Sequence, residues 1–183
     1  MNKIPTIFER NWDGNRGVID SVKVAIPIDA IATEKLDGTN VRITVRNGIC
    51  VRLEKRCNPT KLQKAKGIEE PWYMDASDSD PQDKWIYDAL KNTDISTTPN
   101  GEWSGEALGT NIQGNPLNLD KNVIVLFSLS QAPVFSDAPV SFTELKEWLP
   151  KQRSKYGKDC GIEGLVWWKD GEPIGKIKLK DFK

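Results

Sequence analysis

A β-hairpin early in the chain is the feature that most constrains the fold. Residues 41–46 alternate between apolar and polar side chains, and after Asn47-Gly48 a second apolar-rich stretch follows at residues 49–53. Alternation is the period of a strand with one buried face, and Asn-Gly is a preferred pair for a type I′ turn. The sequence therefore predicts two antiparallel strands here, and with them a domain that contains an antiparallel sheet.

Two further stretches predict strands. Residues 122–129 are a nearly continuous apolar run, which is typical of a strand buried on both faces. Residues 163–179 predict two strands around a Lys-Asp-Gly turn at residues 169–171. This second pair again favours antiparallel connections.

The helices that the sequence predicts are short. Ser141 and Glu144 have the spacing of a capping box, which predicts a helix that stops at Pro150. A second helix is predicted near residues 82–92, after a surface loop at residues 70–83 that is rich in Asp, Ser and Pro. Because strands and helices do not alternate as β-α-β units, the pattern favours an α+β fold of antiparallel sheets with flanking helices.

Composition agrees with one ordinary folded domain. The chain has 183 residues, of which 38% are hydrophobic and 28% charged, and this is enough apolar surface to bury a core. No repeat and no linker interrupts the sequence, so residues 1–183 are predicted to form a single domain.

The sequence contains no histidine, which excludes several catalytic classes at once. Ser-His and Cys-His nucleophile pairs and the H-E-x-x-H zinc site all require imidazole. The Walker loop and the G-x-G-x-x-G loop, two common phosphate-binding motifs, are missing from the sequence as well. Any catalysis must therefore depend on lysine, arginine, carboxylate, tyrosine or cysteine side chains.

The cysteines and the apolar runs indicate a cellular compartment. Cys50, Cys57 and Cys160 are odd in number and are not spaced as C-x-x-C, which favours reduced thiols over a disulfide framework or a zinc knuckle. No apolar stretch has the length of a signal-peptide core or a membrane span. The sequence thus predicts a cytoplasmic protein without a membrane partner.

Charge is balanced overall but not along the chain. Lysine and arginine number 26, as do aspartate and glutamate, so the net charge does not demand a polyanionic partner. Between residues 42 and 66, however, eight cations accompany a single anion, Glu54. Such a block suits a phosphate backbone, and it equally suits a solvated hairpin face balanced by the acidic stretch that follows.

The segment Lys35-Leu36-Asp37-Gly38 combines a candidate nucleophile with room for a ligand. Apolar residues precede the lysine, and a partly desolvated lysine amine near other cations loses its proton more readily and becomes nucleophilic. Gly38 lets a ligand approach the backbone. Taken alone, the pattern K-x-D-G also fits an ordinary surface turn, so the rest of the chain decides between the two interpretations.

Further motifs follow this segment in a fixed order. They are Lys55-Arg56, Gly105-Glu106-Ala107-Leu108-Gly109, the apolar run that reaches Phe127, Glu163-Gly164-Leu165-Val166, and Lys176-Ile177-Lys178. The ordered set resembles the motif series of the covalent nucleotidyltransferases, the superfamily of ATP-dependent DNA ligases, RNA ligases and mRNA-capping enzymes.

Three longer stretches narrow the resemblance. Residues 4–12, 105–116 and 176–182 look like a compact RNA ligase family of bacteriophages and bacteria that has a vertebrate relative. DNA ligases and capping enzymes continue past the paired lysines into an OB domain, whereas five residues follow Lys178 here. The resemblance implies a ligase-type adenylyltransferase domain without an OB domain, in the cytoplasm, or in the host cytoplasm if a phage encodes it.

The resemblance also implies a role for each motif residue. Lys35 would be the catalytic nucleophile that carries AMP, with Lys176 and Lys178 as catalytic lysines at the phosphates. The residues implied to bind the nucleotide are Glu34, Lys35, Asp37, Arg56, Glu106, Phe127, Glu163, Lys176 and Lys178. Glu163 is the implied ligand of Mg²⁺ or Mn²⁺, and the residues implied to contact RNA are Arg52, Arg56 and Lys180.

Elementary chemistry agrees with these roles. Transfer of a phosphoryl group develops negative charge that positioned cations and metal must offset. Lys176 and Lys178 alternate on a predicted strand and so project to one face, which Lys180 shares. Glu163 lies among apolar residues, where a carboxylate needs a metal, a lysine or a sugar hydroxyl as its partner, and Mg²⁺ prefers carboxylate and phosphate oxygens.

Several roles have a second candidate. The alternatives are Glu102 in place of Glu106 at the ribose, Lys180 in place of Lys178, Arg52 in place of Arg56, and core packing in place of adenine stacking for Phe127. Thr39 and Asn40 are expected to help through their backbone.

The predicted function is that of an ATP-dependent RNA ligase. It would join 5′-phosphate and 3′-hydroxyl RNA ends through lysyl-AMP on Lys35 and an adenylylated 5′ end, with ATP and RNA ends as partners and no protein partner indicated. The alternatives are a minimal ATP-dependent DNA nick ligase, a GTP-using capping guanylyltransferase, and a non-catalytic nucleic-acid-binding module of the same fold.

Overall fold

The computed structural model describes residues 3–127 and 132–183. These residues form two compact units. The five-stranded unit holds Lys3 and residues 37–127, and the three-stranded unit holds Ile4–Leu36 and Ala132–Lys183. Each has its own antiparallel sheet and its own apolar core.

The strands and helices are short, as the sequence predicts. The strands are β1 (Phe8–Arg10), β2 (Val18–Val22), β3 (Ile31–Glu34), β4 (Thr39–Arg46), β5 (Ile49–Cys57), β6 (Trp72–Asp75), β7 (Gly101–Leu108), β8 (Val123–Leu126), β9 (Gly164–Lys169) and β10 (Glu172–Lys178). The α-helices are α1 (Lys61–Ala65), α2 (Lys84–Lys91) and α3 (Phe142–Trp148). Among the described residues, 3₁₀ turns also cover Leu149–Lys151 and Leu179–Asp181.

The five-stranded unit is built around the predicted hairpin. Its strands pair in the order β6-β5-β4-β7-β8, all antiparallel. Asn47 and Gly48 have φ angles of 51° and 71°, the left-handed values that a type I′ turn requires. The hairpin prediction is therefore confirmed.

One face of this sheet is apolar and contributes to the core of the five-stranded unit. Val41, Ile43 and Val45 alternate along β4 and are fully buried, in a cluster that also holds Ile86 and Ala89 of α2. Residues between them on β4 lie on the opposite face because successive side chains of a strand alternate. That opposite face carries polar and charged groups.

The three-stranded unit pairs its strands in the order β10-β9-β3 and adds the small sheet β1-β2. Leu165, Trp167 and Ile177 are buried on one face of β9 and β10, in a cluster that also contains Leu145 of α3. Asp170 and Gly171 adopt φ angles of 52° and 80° at the turn between β9 and β10. The predicted pair of strands at residues 163–179 is confirmed.

Three local predictions need correction. The predicted loop at residues 70–83 contains β6, because Trp72–Asp75 pairs with β5. The apolar run at 122–129 contributes only Val123–Leu126 as an edge strand, and residues 128 and 129 lie outside the described part of the chain. Helix α3 does follow Ser141, yet the hydroxyl of Ser141 donates to the Glu144 carboxylate and does not cap the backbone.

The α+β prediction itself is confirmed. Both units are built from antiparallel strands with a few short helices. Within the described ranges the five-stranded sheet stays open, with β6 and β8 as its edges, so it does not close into an OB barrel. Among the same residues, no helix has the length and apolarity needed to cross a membrane.

Gly164 is required by the close approach of β9 and β10. A Cβ atom at this position would lie 2.0 Å from the carbonyl oxygen of Ile177. We expect Gly164→Ala to lower the free energy of unfolding by about 2 kcal/mol or more, because the backbone has to move. Urea denaturation of Gly164→Ala and of the control Gly161→Ala, whose Cβ would lie 3.7 Å from its nearest neighbour, checks this; equal stability of the two variants would contradict it.

Candidate active site

Two lysines share one carboxylate in the three-stranded unit. The Nζ atom of Lys35 lies 2.6 Å from Oε2 of Glu163, and the Nζ atom of Lys178 lies 2.5 Å from Oε1. Only 18%, 12% and 22% of the side chains of Lys35, Glu163 and Lys178 are exposed. We call these three residues the Lys-Glu-Lys cluster.

Strand pairing brings the cluster together. Lys35 follows the last residue of β3, and its backbone N–H donates to the carbonyl of Gly164 at 2.9 Å. Lys178 is the last residue of β10 and lies opposite Gly164 in the register. Glu163 directly precedes β9, and its carbonyl accepts from Leu179. Three strand ends therefore meet at one point and place the three side chains there.

The two ammonium groups hold the Glu163 carboxylate ionised. Burial pushes the pKa of Glu163 upward, but the charges and hydrogen bonds of Lys35 and Lys178 together outweigh burial, so this pKa lies below its usual value. A carboxylate in this state positions the two amines and is a weak proton acceptor.

Lys176 and Lys180, the other two lysines near the C-terminal end of β10, differ in position and exposure. Lys176 lies two residues before Lys178 on β10, is half-buried, and projects to the same face, as the sequence predicts. Lys180 does not share that face, which corrects the prediction. Strand β10 ends at Lys178, and Lys180 lies exposed in the 3₁₀ turn that follows.

Glu34 precedes Lys35 and faces the opposite way. Its side chain is 2% exposed, and its carboxylate accepts from the hydroxyl of Ser154 and from the backbone N–H of Lys155. Burial raises the pKa of Glu34 despite these hydrogen bonds. Successive side chains of a strand alternate in direction. The Glu34 side chain therefore binds the loop after α3, while the Lys35 side chain contacts Glu163.

In the five-stranded unit, Glu106 is held by a chain of hydrogen bonds on the polar face of the sheet. Its Oε1 accepts from the backbone N–H of Gly38 at 3.2 Å, and its Oε2 accepts from the amide of Asn40 at 3.4 Å. The hydroxyl of Tyr73 donates to Oδ1 of Asn40 at 2.7 Å. Gly38 is required at this point because a Cβ atom would lie 2.2 Å from the carbonyl oxygen of Ala107.

Sequence reasoning missed Tyr73 and expected only backbone help from Asn40. Tyr73 lies on β6, opposite Arg56 of β5, in the segment predicted as a loop. The aromatic residues of Trp72-Tyr73, which are enriched in strands, were the signal that could have revealed it. The Asn40 side chain also donates to the carbonyl of Gly105 at 3.2 Å.

The two candidates for the ribose contact occupy different environments. Glu106 is buried, with 9% of its surface exposed. Glu102 is 54% exposed and lies 3.5 Å from the guanidinium of Arg42. Arg42 in turn forms a two-bond pair with Glu54, at 2.7 and 2.8 Å, and Glu54 is only 1% exposed. Glu102 therefore belongs to a partly solvated ion-pair network, whereas Glu106 is fixed by the Asn40 amide and a backbone N–H.

Arg56 lies on the same polar face and has a buried side-chain atom without a hydrogen-bond partner among the described residues. It is half-buried on β5, and its Nε atom is buried without a hydrogen-bond partner among the described residues. A buried guanidinium nitrogen with no partner carries a desolvation cost that an anionic ligand can relieve. Of the remaining predicted residues, Asp37 is the half-buried first residue of the unit's main segment, and Phe127 is half-buried just after β8.

Two other cations of the 42–66 block, Arg52 and Lys55, are paired with carboxylates of the same unit. Arg52 lies 2.6 Å from Asp75, and Lys55 lies 2.7 Å from Asp83 and 3.3 Å from Asp80. These partners come from the acidic stretch that follows the block, so the structure favours the balanced-face interpretation for them. Contact of RNA with Arg52, which keeps 50% of its side chain exposed, stays a prediction.

The residues fit a metal ion only as part of a complex with phosphate. Among residues 3–127 and 132–183, no group of three or more acidic or cysteine side chains could hold a metal by itself. Mg²⁺ commonly uses one or two carboxylates and completes its shell with water and substrate phosphates. Each oxygen of Glu163 accepts one ammonium and retains further lone pairs, so Glu163 can serve as that carboxylate.

Solved structures identify the fold. The chain is similar to an RNA ligase of Naegleria gruberi in two structures, an apo lysine-to-alanine mutant at a TM-score of 0.52 and 17% identity, and a glutamate-to-alanine mutant with ATP and Mn at 0.51 and 15%. This chain has an RNA ligase-like fold. The alignments cover 82% and 81% of this chain but 49% of each ligase, so the chain spans about half their length. The sequence matches no family model and no curated protein.

The lowered pKa of Glu163 makes the stability of the protein depend on pH. A glutamate with a depressed pKa stabilises the folded state above its unfolded pKa, and this contribution is lost as the pH falls through the folded pKa. We expect Glu163→Gln to be destabilised by about 3 kcal/mol at neutral pH, because two ammonium groups lose their shared partner. The difference from the wild type closes in acid, where Glu163 becomes protonated.

Urea denaturation across a pH series measures this effect. The control is Glu9→Gln, which removes an exposed pair of Glu9 and Lys23 at 3.5 Å and is expected to cost less than about 0.5 kcal/mol. A Glu163→Gln deficit that persists unchanged in acid would show that the ionised carboxylate is not its cause.

Proposed function

We propose that this chain is an ATP-dependent RNA ligase that joins 5′-phosphate and 3′-hydroxyl RNA ends through a covalent lysyl-AMP intermediate on Lys35. The observation that carries the proposal is the Lys-Glu-Lys cluster. Two lysines and one glutamate from separate motifs converge within hydrogen-bond distance, in a chain whose fold is similar to that of an RNA ligase.

The proposed chemistry has three balanced steps. The unprotonated Nζ of Lys35 attacks the α-phosphorus of ATP, so a P–N bond forms, the α–β P–O bond breaks and pyrophosphate leaves. An oxygen of the RNA 5′-phosphate then displaces Lys35 from AMP, which gives a 5′–5′ pyrophosphate. Finally the 3′-hydroxyl oxygen attacks the RNA 5′-phosphorus and forms the phosphodiester. The P–O bond to AMP breaks, AMP leaves, and the hydroxyl proton passes to solvent.

The cluster supplies orientation and charge for the first step. Glu163 fixes the direction of the Lys35 amine, and such positioning lowers the entropic cost of attack. Lys178 offers a second ammonium to phosphate oxygens, where charge develops in the transition state. Lys35 must give up its proton before the attack, because only the free amine is nucleophilic.

Five further residues are assigned to the nucleotide and the RNA end. Lys176 neutralises phosphate charge, Glu106 accepts from ribose hydroxyls, Asp37 orients the nucleotide, Phe127 stacks on adenine, and Arg56 binds a phosphate of the nucleotide or of the RNA 5′ end. A divalent cation held by Glu163 and the phosphates would supply Lewis-acid stabilisation of negative charge. Glu34 positions the strand end that leads to Lys35 and is not a nucleotide ligand in this proposal.

Covalent adenylylation is the direct test. We expect the wild type incubated with ATP and Mg²⁺ or Mn²⁺ to gain about 329 Da, the mass of one AMP bound to a lysine as a phosphoramide, by intact mass spectrometry. Lys35→Ala should gain nothing, and the control Lys151→Ala, at an exposed lysine, should gain as the wild type does. A folded wild type that takes up no AMP, and carries none when isolated, would refute the proposal.

Parallel reactions determine which nucleotide and which polynucleotide the enzyme uses. GTP in place of ATP tests the capping-enzyme alternative, and nicked DNA in place of RNA ends tests the DNA ligase alternative. Faster sealing of DNA nicks than of any RNA end would assign the adenylylated enzyme to DNA.

The second lysine of the pair can be assigned by comparing Lys178 with Lys180. Lys178 contacts Glu163, whereas Lys180 is exposed beyond the strand. We expect Lys178→Ala to slow lysyl-AMP formation by at least about 100-fold, and Lys180→Ala to slow it by less than about threefold, because an exposed charge is screened by solvent. Single-turnover rates with labelled ATP give both values, and the reverse order would move the role to Lys180.

A further inference from the structure

A cavity lies in the five-stranded unit, on the opposite side of the sheet from Glu106. It has a volume of about 410 Å³, within the range of small-molecule sites. Thr39 and Lys55 line it. On β4 and β5 these two residues alternate with Asn40 and Arg56, so they belong to the face that packs on α2. The cavity is thus distinct from the groups that the proposed function uses.

The lining has the chemistry of a nucleobase site. Three residues with side-chain amides line it, together with one tryptophan and a buried isoleucine: Gln82, Asn111, Gln113, Trp85 and Ile112. Amides carry both donors and acceptors and can match the edge of a base, while an indole offers a stacking surface.

The charges around the cavity cancel. Lys55 is paired with Asp83 and Asp80, and the ammonium of Lys84 lies 4.3 Å from the centroid of the Trp85 ring. Two cations thus stand against two carboxylates. A lining in which Lys55 already has two carboxylate partners suits an uncharged aromatic ring better than a phosphate group.

Gln113, one of the amide-bearing residues, has an uncommon backbone conformation. Gln113 has a φ angle of 50°, a left-handed value that is uncommon for a residue with a side chain. Its Nε2 atom donates to the hydroxyl of Thr39 at 3.3 Å, which fixes the amide at the cavity wall and leaves its oxygen available as an acceptor.

We infer that this cavity is a subsite for an unpaired base of the RNA substrate, with Trp85 as the stacking surface and Gln113 as a hydrogen-bonding residue. The inference rests on the proposed function for the identity of the nucleic acid. The base enters the cavity, and the sugar-phosphate backbone stays outside it. A base of a free nucleotide has the same chemistry, and the experiment separates the two sources.

The test measures binding of a short, fluorescently labelled, single-stranded RNA of mixed sequence by anisotropy at fixed salt. We expect Trp85→Ala and Gln113→Ala each to weaken binding about tenfold or more, because base stacking and a lost acceptor contribute at this scale. Trp85→Phe keeps an aromatic ring and should stay within about threefold of the wild type. The matched control is Trp12→Ala, at a tryptophan that is 67% exposed, which should bind as the wild type does.

The outcomes distinguish this inference from the proposed function. Lysyl-AMP formation measured on the same variants should be unchanged in Gln113→Ala, since the cavity is not assigned to ATP. Wild-type RNA affinity in both Trp85→Ala and Gln113→Ala would overturn the subsite while lysyl-AMP formation stands. Absence of lysyl-AMP from the wild type, with RNA binding still sensitive to both positions, would overturn the ligase and not the subsite.

Two further results would also overturn the inference. If Trp85→Ala loses both RNA binding and lysyl-AMP formation while Gln113→Ala loses neither, Trp85 is needed for the folded structure and not for base stacking. If free AMP, CMP, GMP or UMP displaces the RNA at a concentration close to that of competing unlabelled RNA, the cavity is a site for free nucleotides.

Discussion

The sharing of Glu163 between two lysines is the constraint on which the three-stranded unit depends. A carboxylate that is 12% exposed is costly to bury unless its charge is compensated, and here each oxygen faces its own ammonium. That arrangement requires the end of β3, the start of β9 and the end of β10 to meet, and the meeting leaves no room for a side chain at Gly164. The same ion pairs thus fix the backbone and aim the candidate nucleophile.

Two glutamates of the same unit, the buried Glu34 and the mostly buried Glu163, show how surroundings decide the direction of a pKa shift. Glu34 and Glu163 are both removed from water, yet the pKa of Glu34 is raised and that of Glu163 is lowered. The partners of Glu34 are a hydroxyl and backbone N–H groups, whereas those of Glu163 carry full positive charge. Neutral donors do not offset burial in the first case, and two cations do so in the second. The first glutamate is suited to anchoring a loop and the second to holding ions.

Structure formed by residues close in sequence could be predicted, whereas contacts between residues far apart in sequence could not. The hairpin of β4 and β5 follows from alternation and Asn-Gly, because neighbours in sequence determine it. The contact of Lys35 with Glu163 joins residues 128 positions apart, and only the order of motifs suggested it. Strand β6 was missed because polar residues surround it in the sequence. Strand β10 was predicted to extend to Lys180, because alternating lysines do not show where strand pairing ends. The direction of Glu34 was available from strand alternation.

Strand β6 is expected to be less stable than the core of the five-stranded unit. This strand has four residues and pairs on one side only, so it is the kind of element that detaches by local opening, at a lower free energy than global unfolding. Tyr73 leaves with it, and Asn40 then loses the hydroxyl that holds its amide toward Glu106. Opening of β6 would therefore remove one hydrogen bond from Asn40 while the core around Val41 and Ile43 is still intact, so the support of Glu106 on the polar face and the stability of the core are separable properties of this unit.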